Sequence, residues 1–142
     1  GDSVYRKIIN EADLISVLKS KGYKIINPQH YEIEEQIQIF SNAEKIISPS
    51  GSNLTNIIFC KPGTELIEIC PRLNEKHENY LIKRYQILAE LNKLNYKRIY
   101  VDSIEVNSHS DLAIKYLNTK YLKKSNYYKD IIVKIKDFTS LK

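Results

Sequence analysis

Hydrophobic and polar positions along this chain switch between a helical period and a strand period, and the switches mark a succession of short elements. Asn10 is placed to cap a helix, with Asp13 three residues on, and Leu14, Val17 and Leu18 form its apolar stripe. Lys19 and Lys21 suit the end of that helix, and Gly22 supplies a left-handed stop. Tyr23-Lys24-Ile25-Ile26 reads as a short strand ended by Asn27-Pro28. A second helix follows, with Glu32, Glu34 and Glu35 in its first turn and Ile33, Ile37 and Phe40 as its buried side. Lys45-Ile46-Ile47-Ser48 is the next strand. The small-residue loop Pro49-Ser50-Gly51-Ser52-Asn53 leads into a short helix through Leu54 and Phe59. Pro62-Gly63 then turns the chain into the strand Leu66-Ile67-Glu68-Ile69, stopped by Pro71.

The second half opens on a long amphipathic pattern from Lys76 to Leu94, with Leu81, Tyr85, Leu88 and Leu91 at helical spacing. Arg98-Ile99-Tyr100-Val101 reads as a strand, a helix is predicted around Asp111 to Leu122, and Ile131 to Ile135 forms a last strand. Phe138 to Lys142 starts a terminal helix. Strands alternating with helices predict parallel pairing through crossovers. The expected fold is α/β, a single Rossmann-like three-layer domain over residues 1–142 with a mainly parallel sheet.

Composition narrows this picture. At 142 residues, 42% hydrophobic and 27% charged, the chain is long enough for one packed core and lies outside the disordered and fibrous classes. It contains no methionine, so a piece of a longer protein is expected. No apolar run reaches the length of a membrane span. Cys60 and Cys70 sit among apolar neighbours and are expected to be buried, reduced thiols in a cytoplasmic protein; a bridge or a reactive thiol is the alternative. His30, His77 and His109 lie far apart without ligand spacing, so no metal site is expected.

The charge is uneven. Residues 1–71 carry 7 basic and 9 acidic side chains, whereas residues 72–142 carry 15 basic and 8 acidic ones. The excess peaks at Lys115, Lys120, Lys123 and Lys124, interleaved with Tyr116, Tyr121, Tyr127 and Tyr128. That pattern fits a solvated lysine-rich face or peripheral contact with an anionic membrane surface, with nucleic acid the least favoured partner.

The loop between the strand at Lys45 and the short helix holds the candidate chemistry. Gly22 is accounted for as a helix stop and Gly63 as a turn, which leaves Gly51 between a buried strand and a helix start. In an open α/β sheet, ligands bind at that end of the strands, and the N–H groups of a helix start favour phosphate. Ser50, Ser52, Asn53 and Thr55 add hydroxyl and amide groups. The alternative is a plain strand-to-helix turn capped by Ser and Asn. There is no G-x-G-x-x-G and no P-loop lysine, so neither a dinucleotide fold nor a P-loop is indicated.

Several motifs occur in a fixed order: Arg6-Lys7-Ile8-Ile9-Asn10-Glu11, Glu35-Gln36-Ile37 with Phe40, and the run S-P-S-G-S-N-L-T-N from Ser48 to Asn56. Phe59, Pro62-Gly63 and Ile67-Glu68-Ile69 with Pro71 follow. In order and spacing these resemble glycosyltransferase family 61, whose pattern reads R-R-x-x-N-E, E-Q-x-x-x-F, G-P-H-G-A-G-L-T-N, F-x-x-P-G and an apolar-E-apolar strand. Similarity continues through Tyr85, Leu88-Ala89 and Tyr96 to the strand at Ile131.

The resemblance implies one lobe of a GT-B-type enzyme, the C-terminal donor-binding half, with the N-terminal lobe absent from this chain. It implies inverting transfer from a nucleotide sugar, UDP-linked, to a glycan or lipid-linked saccharide in capsule or lipopolysaccharide synthesis at the cytoplasmic face of the membrane, with no obligatory metal. By position, Arg6 would pair with the donor diphosphate, and Ser50, Gly51, Ser52, Asn53 and Thr55 would place N–H groups on phosphate or sugar. Gln36 would contact the nucleoside or brace a helix start, and Glu68 would contact ribose or serve structurally. Ser50 stands where the family usually has His, and Asn53 where it usually has Gly. Loss of the imidazole removes a candidate acid, base or phosphate donor. A catalytically inactive domain of the same family, acting as a binding or scaffolding module, is therefore the alternative. No catalytic base is assigned.

Overall fold

The computed structural model describes residues 7–73, 83–104 and 130–142. Its strands are β1 (Lys45–Pro49), β2 (Glu65–Pro71), β3 (Asn95–Ile104) and β4 (Asp130–Ile132). Its α-helices are α1 (Glu11–Ser20), α2 (Ile33–Asn42), α3 (Lys83–Leu91) and α4 (Lys136–Thr139), with a 3₁₀ turn at Pro28–His30 and a 3₁₀ helix at Ser52–Phe59. Arg6, the helix start from Lys76 with Leu81, the helix expected at Asp111 to Leu122 and the Lys/Tyr cluster lie outside the described residues.

Strands pair in the order β1-β2-β3-β4. β1 and β2 are parallel, with Ile46 beside Leu66 and Ser48 beside Glu68. The Asn95 N–H donates to the Thr64 carbonyl and the Arg72 N–H to the Val101 carbonyl, both at bonding distance (3.0 and 2.9 Å). These two bonds advance along both strands in the same direction, so β2 and β3 are also parallel, with Glu68 beside Arg98. β4 runs antiparallel to β3. The sheet is thus mixed and mostly parallel, as an α/β chain predicts.

The chain forms two compact units. The described part of the first comprises residues 27–70 and 83–100. Phe40, Leu54, Ile57, Cys60, Leu66, Tyr85, Ala89 and Leu94 make its core, and full burial of each large member stabilises by roughly 1.5–3 kcal/mol. The 3₁₀ helix follows from its sequence: side chains three apart eclipse in that geometry, and Leu54, Ile57 and Cys60 are all buried. Both α2 and α3 pack on it. A reciprocal capping box between Glu32 and Glu35 starts α2.

Two expected helix faces are corrected. On α2, Phe40 is buried, but Ile33 and Ile37 are 53% and 37% exposed. The inward side is instead Gln36, Ile39 and Phe40, because the Gln36 amide is drawn in by hydrogen bonds described below. On α3, Tyr85 and Ala89 are buried while Leu91 is 74% exposed. Here Lys93 takes a left-handed φ of 57°. The Leu94 N–H donates back to the Ala89 carbonyl, and the Lys93 N–H to Glu90, a Schellman stop that returns Leu94 to the core in place of Leu91.

The described part of the second unit comprises residues 7–26, 71–73, 101–104 and 130–142. Helix α1 packs on α4, burying Leu14, Leu18 and Phe138. It stops as expected at Gly22 (φ +86°), where the Tyr23 N–H reaches the Leu18 carbonyl and the Gly22 N–H reaches Lys19. Two further expectations are corrected. Residues 23–26 form no strand; Ile25 is 41% exposed, and the helix stop takes the Tyr23 N–H. Asn10 occupies the N-cap of α1 without a side-chain cap bond. Its amide is used elsewhere: Nδ2 donates to the Val133 carbonyl at 2.8 Å, and Oδ1 accepts the Val133 N–H at 3.0 Å. This two-way clamp extends the bridge of Ile8 to Ile131. Asp130 Oδ1 adds an acceptor for the Lys7 N–H at 2.7 Å.

Candidate functional site

The loop after β1 stands at the carboxyl end of a parallel strand. The Ser50 N–H donates to the Ile69 carbonyl at 2.9 Å, which ties the base of the loop to β2. Gly51 is fully extended (φ 170°, ψ 175°), and its carbonyl accepts the Leu54 N–H at 3.0 Å to start the 3₁₀ helix. N–H groups in the first turn have no acceptor within their own helix. Ser52, Asn53 and Thr55 are exposed there, while Leu54 anchors the turn in the core. Ser50 is buried at 1% exposure, with its side chain on the inward side of the sheet. A buried hydroxyl in that place differs in kind from an accessible imidazole.

Gln36 reaches this loop's helix from α2. Its Nε2 donates to the Tyr31 carbonyl at 2.9 Å, and its Oε1 accepts the Asn56 Nδ2 at 3.0 Å. The amide therefore braces α2 against the 3₁₀ helix, and Asn56 joins the set of residues that shape the loop. An amide of this kind keeps one N–H and one lone pair for a further partner.

Alternation along the strands places three rows of side chains on the face that meets α2, the 3₁₀ helix and α3. The register puts Ile46, Leu66 and Tyr96 in the first row, Ser48, Glu68 and Arg98 in the second, and Ser50, Cys70 and Tyr100 in the third. The first row is core. Toward the carboxyl end the face turns polar.

Glu68 is fully buried. Its Oε2 accepts a short hydrogen bond from the Tyr96 hydroxyl, and its Oε1 has no hydrogen-bond partner. Tyr96 in turn accepts from Arg98 Nε at 3.0 Å. Arg98 Nη1 donates to the Tyr100 hydroxyl at 3.0 Å and Nη2 to Gln86 Oε1 at 3.2 Å. The guanidinium also lies 5.5 and 5.6 Å from the Tyr96 and Tyr100 ring centroids. Burial, followed by the hydrogen bond and negative charge of Glu68, raises the Tyr96 phenol well above its ordinary value. Tyr96 thus stays protonated and links a buried carboxylate to an arginine. Cys60 and Cys70 are buried, and burial pushes the Cys60 thiol up to about 11.

The family model described as Glycosyltransferase 61 matches residues 1–67. Over this stretch the chain is similar to glycosyltransferase family 61. No curated protein matches the chain. The matched stretch carries Arg6, Gln36 and the whole loop from Ser50 to Thr55, and it ends one residue before Glu68. The family 61 motifs thus divide by unit. The loop and Gln36 stand together in the first, while Asn10 clamps Val133 in the second. Tyr96, Arg98, Tyr100 and Gln86 are absent from the sequence-based site. Their signal was available as the alternation Tyr96-x-Arg98-x-Tyr100, which puts three polar side chains on one face of a strand. Among the described residues no three His, Cys, Asp or Glu side chains gather where a metal could sit, and no helix is long and apolar enough to cross a membrane.

Proposed function

We propose that this glycosyltransferase chain is the donor-binding domain of an inverting, GT-B-type enzyme, built as one Rossmann-like three-layer lobe. It takes a sugar from a UDP-linked donor and passes it to a glycan or lipid-linked saccharide of the capsule or lipopolysaccharide kind. The observation that carries this reading is the family-matched loop at the carboxyl end of a parallel strand, with an exposed first turn of N–H groups.

In the reaction the acceptor hydroxyl oxygen attacks the anomeric carbon, the bond from that carbon to the phosphate oxygen breaks, and its electron pair leaves on the diphosphate. The acceptor proton passes to a base that the second lobe supplies. The loop's N–H groups, with the Ser52 hydroxyl and the Asn53 amide, offset the growing diphosphate charge, which removes the need for a metal. Gln36 braces the loop's helix and offers its remaining N–H to the nucleoside. Glu68, fully buried and bonded to Tyr96, serves structurally beneath the site. The lysine-rich segment 115–124 holds the enzyme at the anionic cytoplasmic face where lipid-linked acceptors lie.

Burial of Ser50 favours a second reading, a binding module without turnover, because a 1%-exposed hydroxyl cannot take over an imidazole's proton transfer. Incubating the intact protein with a panel of nucleotide sugars and acceptor saccharides, and following nucleotide release, separates the two. Release that is abolished by Ser52→Ala with Asn53→Ala supports the transferase. Binding of a nucleotide sugar with no release under any acceptor supports the module.

A further inference from the structure

Side chains three apart eclipse in a 3₁₀ helix, so the helix that carries the donor loop presents three edges. Leu54 and Ile57, with Cys60 just beyond the helix, form the buried edge. Ser52, Thr55 and Ile58 form an exposed one, and the third holds Asn53, exposed, with Asn56 and Phe59, half-buried. Apolar contact is non-directional. The buried edge therefore sets how deep the helix lies but fixes its roll about that edge only weakly. The hydrogen bond from Asn56 Nδ2 to Gln36 Oε1 on α2, 3.0 Å long, supplies a direction. We propose that Asn56 is a positioning residue for the donor site: through Gln36 it sets the roll of the helix, and with it the aim of Asn53 and the first-turn N–H groups. This inference rests on the donor-site reading above.

The polarity of the link is fixed from its far end. Gln36 Nε2 donates to the Tyr31 carbonyl at 2.9 Å, and a carbonyl can only accept. A flipped Gln36 amide would set two carbonyl oxygens face to face, so Oε1 must face the 3₁₀ helix and position 56 must supply a donor. Asn56 supplies it, three residues after Asn53 and on the same edge. Helix α2 is a firm anchor for the link, because a capping box closes its first turn and Phe40 is buried in the core. The base of the loop is held separately, by the Ser50 N–H on the Ile69 carbonyl. Asn56 thus acts on the far side of the loop, and no atom of it needs to touch the donor.

The test is calorimetric titration of the intact protein with UDP, run well below the melting point of every variant so that only folded protein is compared. Asn56→Ala is expected to weaken UDP about threefold to tenfold, the effect of one neutral hydrogen bond. Asn56→Ser, whose hydroxyl falls short of Gln36, should match it. A residue that only stabilises the fold would leave this affinity unmoved. Gln36→Met removes the other half of the link, so adding Asn56→Ala to it should weaken UDP by less than about twofold more. UDP bound as tightly by Asn56→Ala and Asn56→Ser as by wild type overturns this role and leaves the donor-site reading standing. The full loss from Asn56→Ala in the Gln36→Met background also overturns it, since Asn56 would then act without Gln36. No binding of UDP by wild type overturns both readings.

Discussion

Removing one hydroxyl, in Tyr96→Phe, tests the polar network without changing the volume of the core. The phenol is the donor to Glu68 Oε2 and the acceptor for Arg98 Nε at 3.0 Å. Glu68 is fully buried and its other oxygen already lacks a partner, so the variant leaves a buried carboxylate with neither oxygen satisfied. Hydrogen bonds to charged groups contribute about 1.5–3 kcal/mol, and an orphaned buried charge costs more. The expected loss is about 3 kcal/mol, and a melting point lower by roughly 6–12 °C for a chain of this size. Urea unfolding of wild type, Tyr96→Phe, Glu68→Leu and the double variant gives the coupling directly. Once Glu68 is replaced by Leu, the tyrosine change should cost about 1 kcal/mol or less, because no charge remains to strand. A loss below about 1 kcal/mol for Tyr96→Phe alone, or the same loss in both backgrounds, would refute the reasoning.

Asn10→Ala should destabilise by about 2–3 kcal/mol in urea unfolding, since two hydrogen bonds to Val133 are lost. Asn10→Ser, which restores a good N-cap but cannot clamp, should not recover it. Lys93→Gly should stabilise by roughly 0.5–1 kcal/mol by relieving a left-handed φ of 57°. Phe40→Ala should cost about 3–5 kcal/mol and Ile33→Ser less than about 0.5 kcal/mol, which separates the two candidate faces of α2 by their thermal melting points. Stability should also fall in alkali. The Cys60 thiol ionises near 9 when unfolded but only at about 11 when folded, so its contribution is complete below pH 9 and is lost as pH rises to about 11. The raised Tyr96 phenol extends the decline above pH 10, and unfolding curves collected from pH 7 to 11 follow it.

Local signals carried much of the architecture. Gly22 and Gly63 stop and turn the chain as their positions predict, both with positive φ. The runs at Lys45, Leu66 and Arg98 are strands, and the loop around Gly51 lies at the expected end of the sheet. Failures occurred where a distant partner decides. Ile33 and Ile37 have helical spacing with Phe40, but the bond from Asn56 to Gln36 turns the polar face inward. Asn10 has the chemistry of a cap, yet its partner lies 123 residues away. Lys93 gives no hint of a left-handed stop, because lysine has no preference for that region. Glu68 was legible as a buried acid on a strand. The alternation Tyr96-x-Arg98-x-Tyr100 puts its tyrosine and arginine partners on one strand face, and the register of β2 against β3 brings that face beside Glu68.

Direct binding of UDP to the intact protein, followed by calorimetry, tests the central claim of a donor site at the carboxyl end of the sheet. The account predicts saturable binding in wild type, and at least about tenfold weaker binding when Ser52 and Asn53 are both replaced by alanine, with the melting point unchanged. Binding that is indifferent to the loop, or no binding of UDP at all, would contradict it.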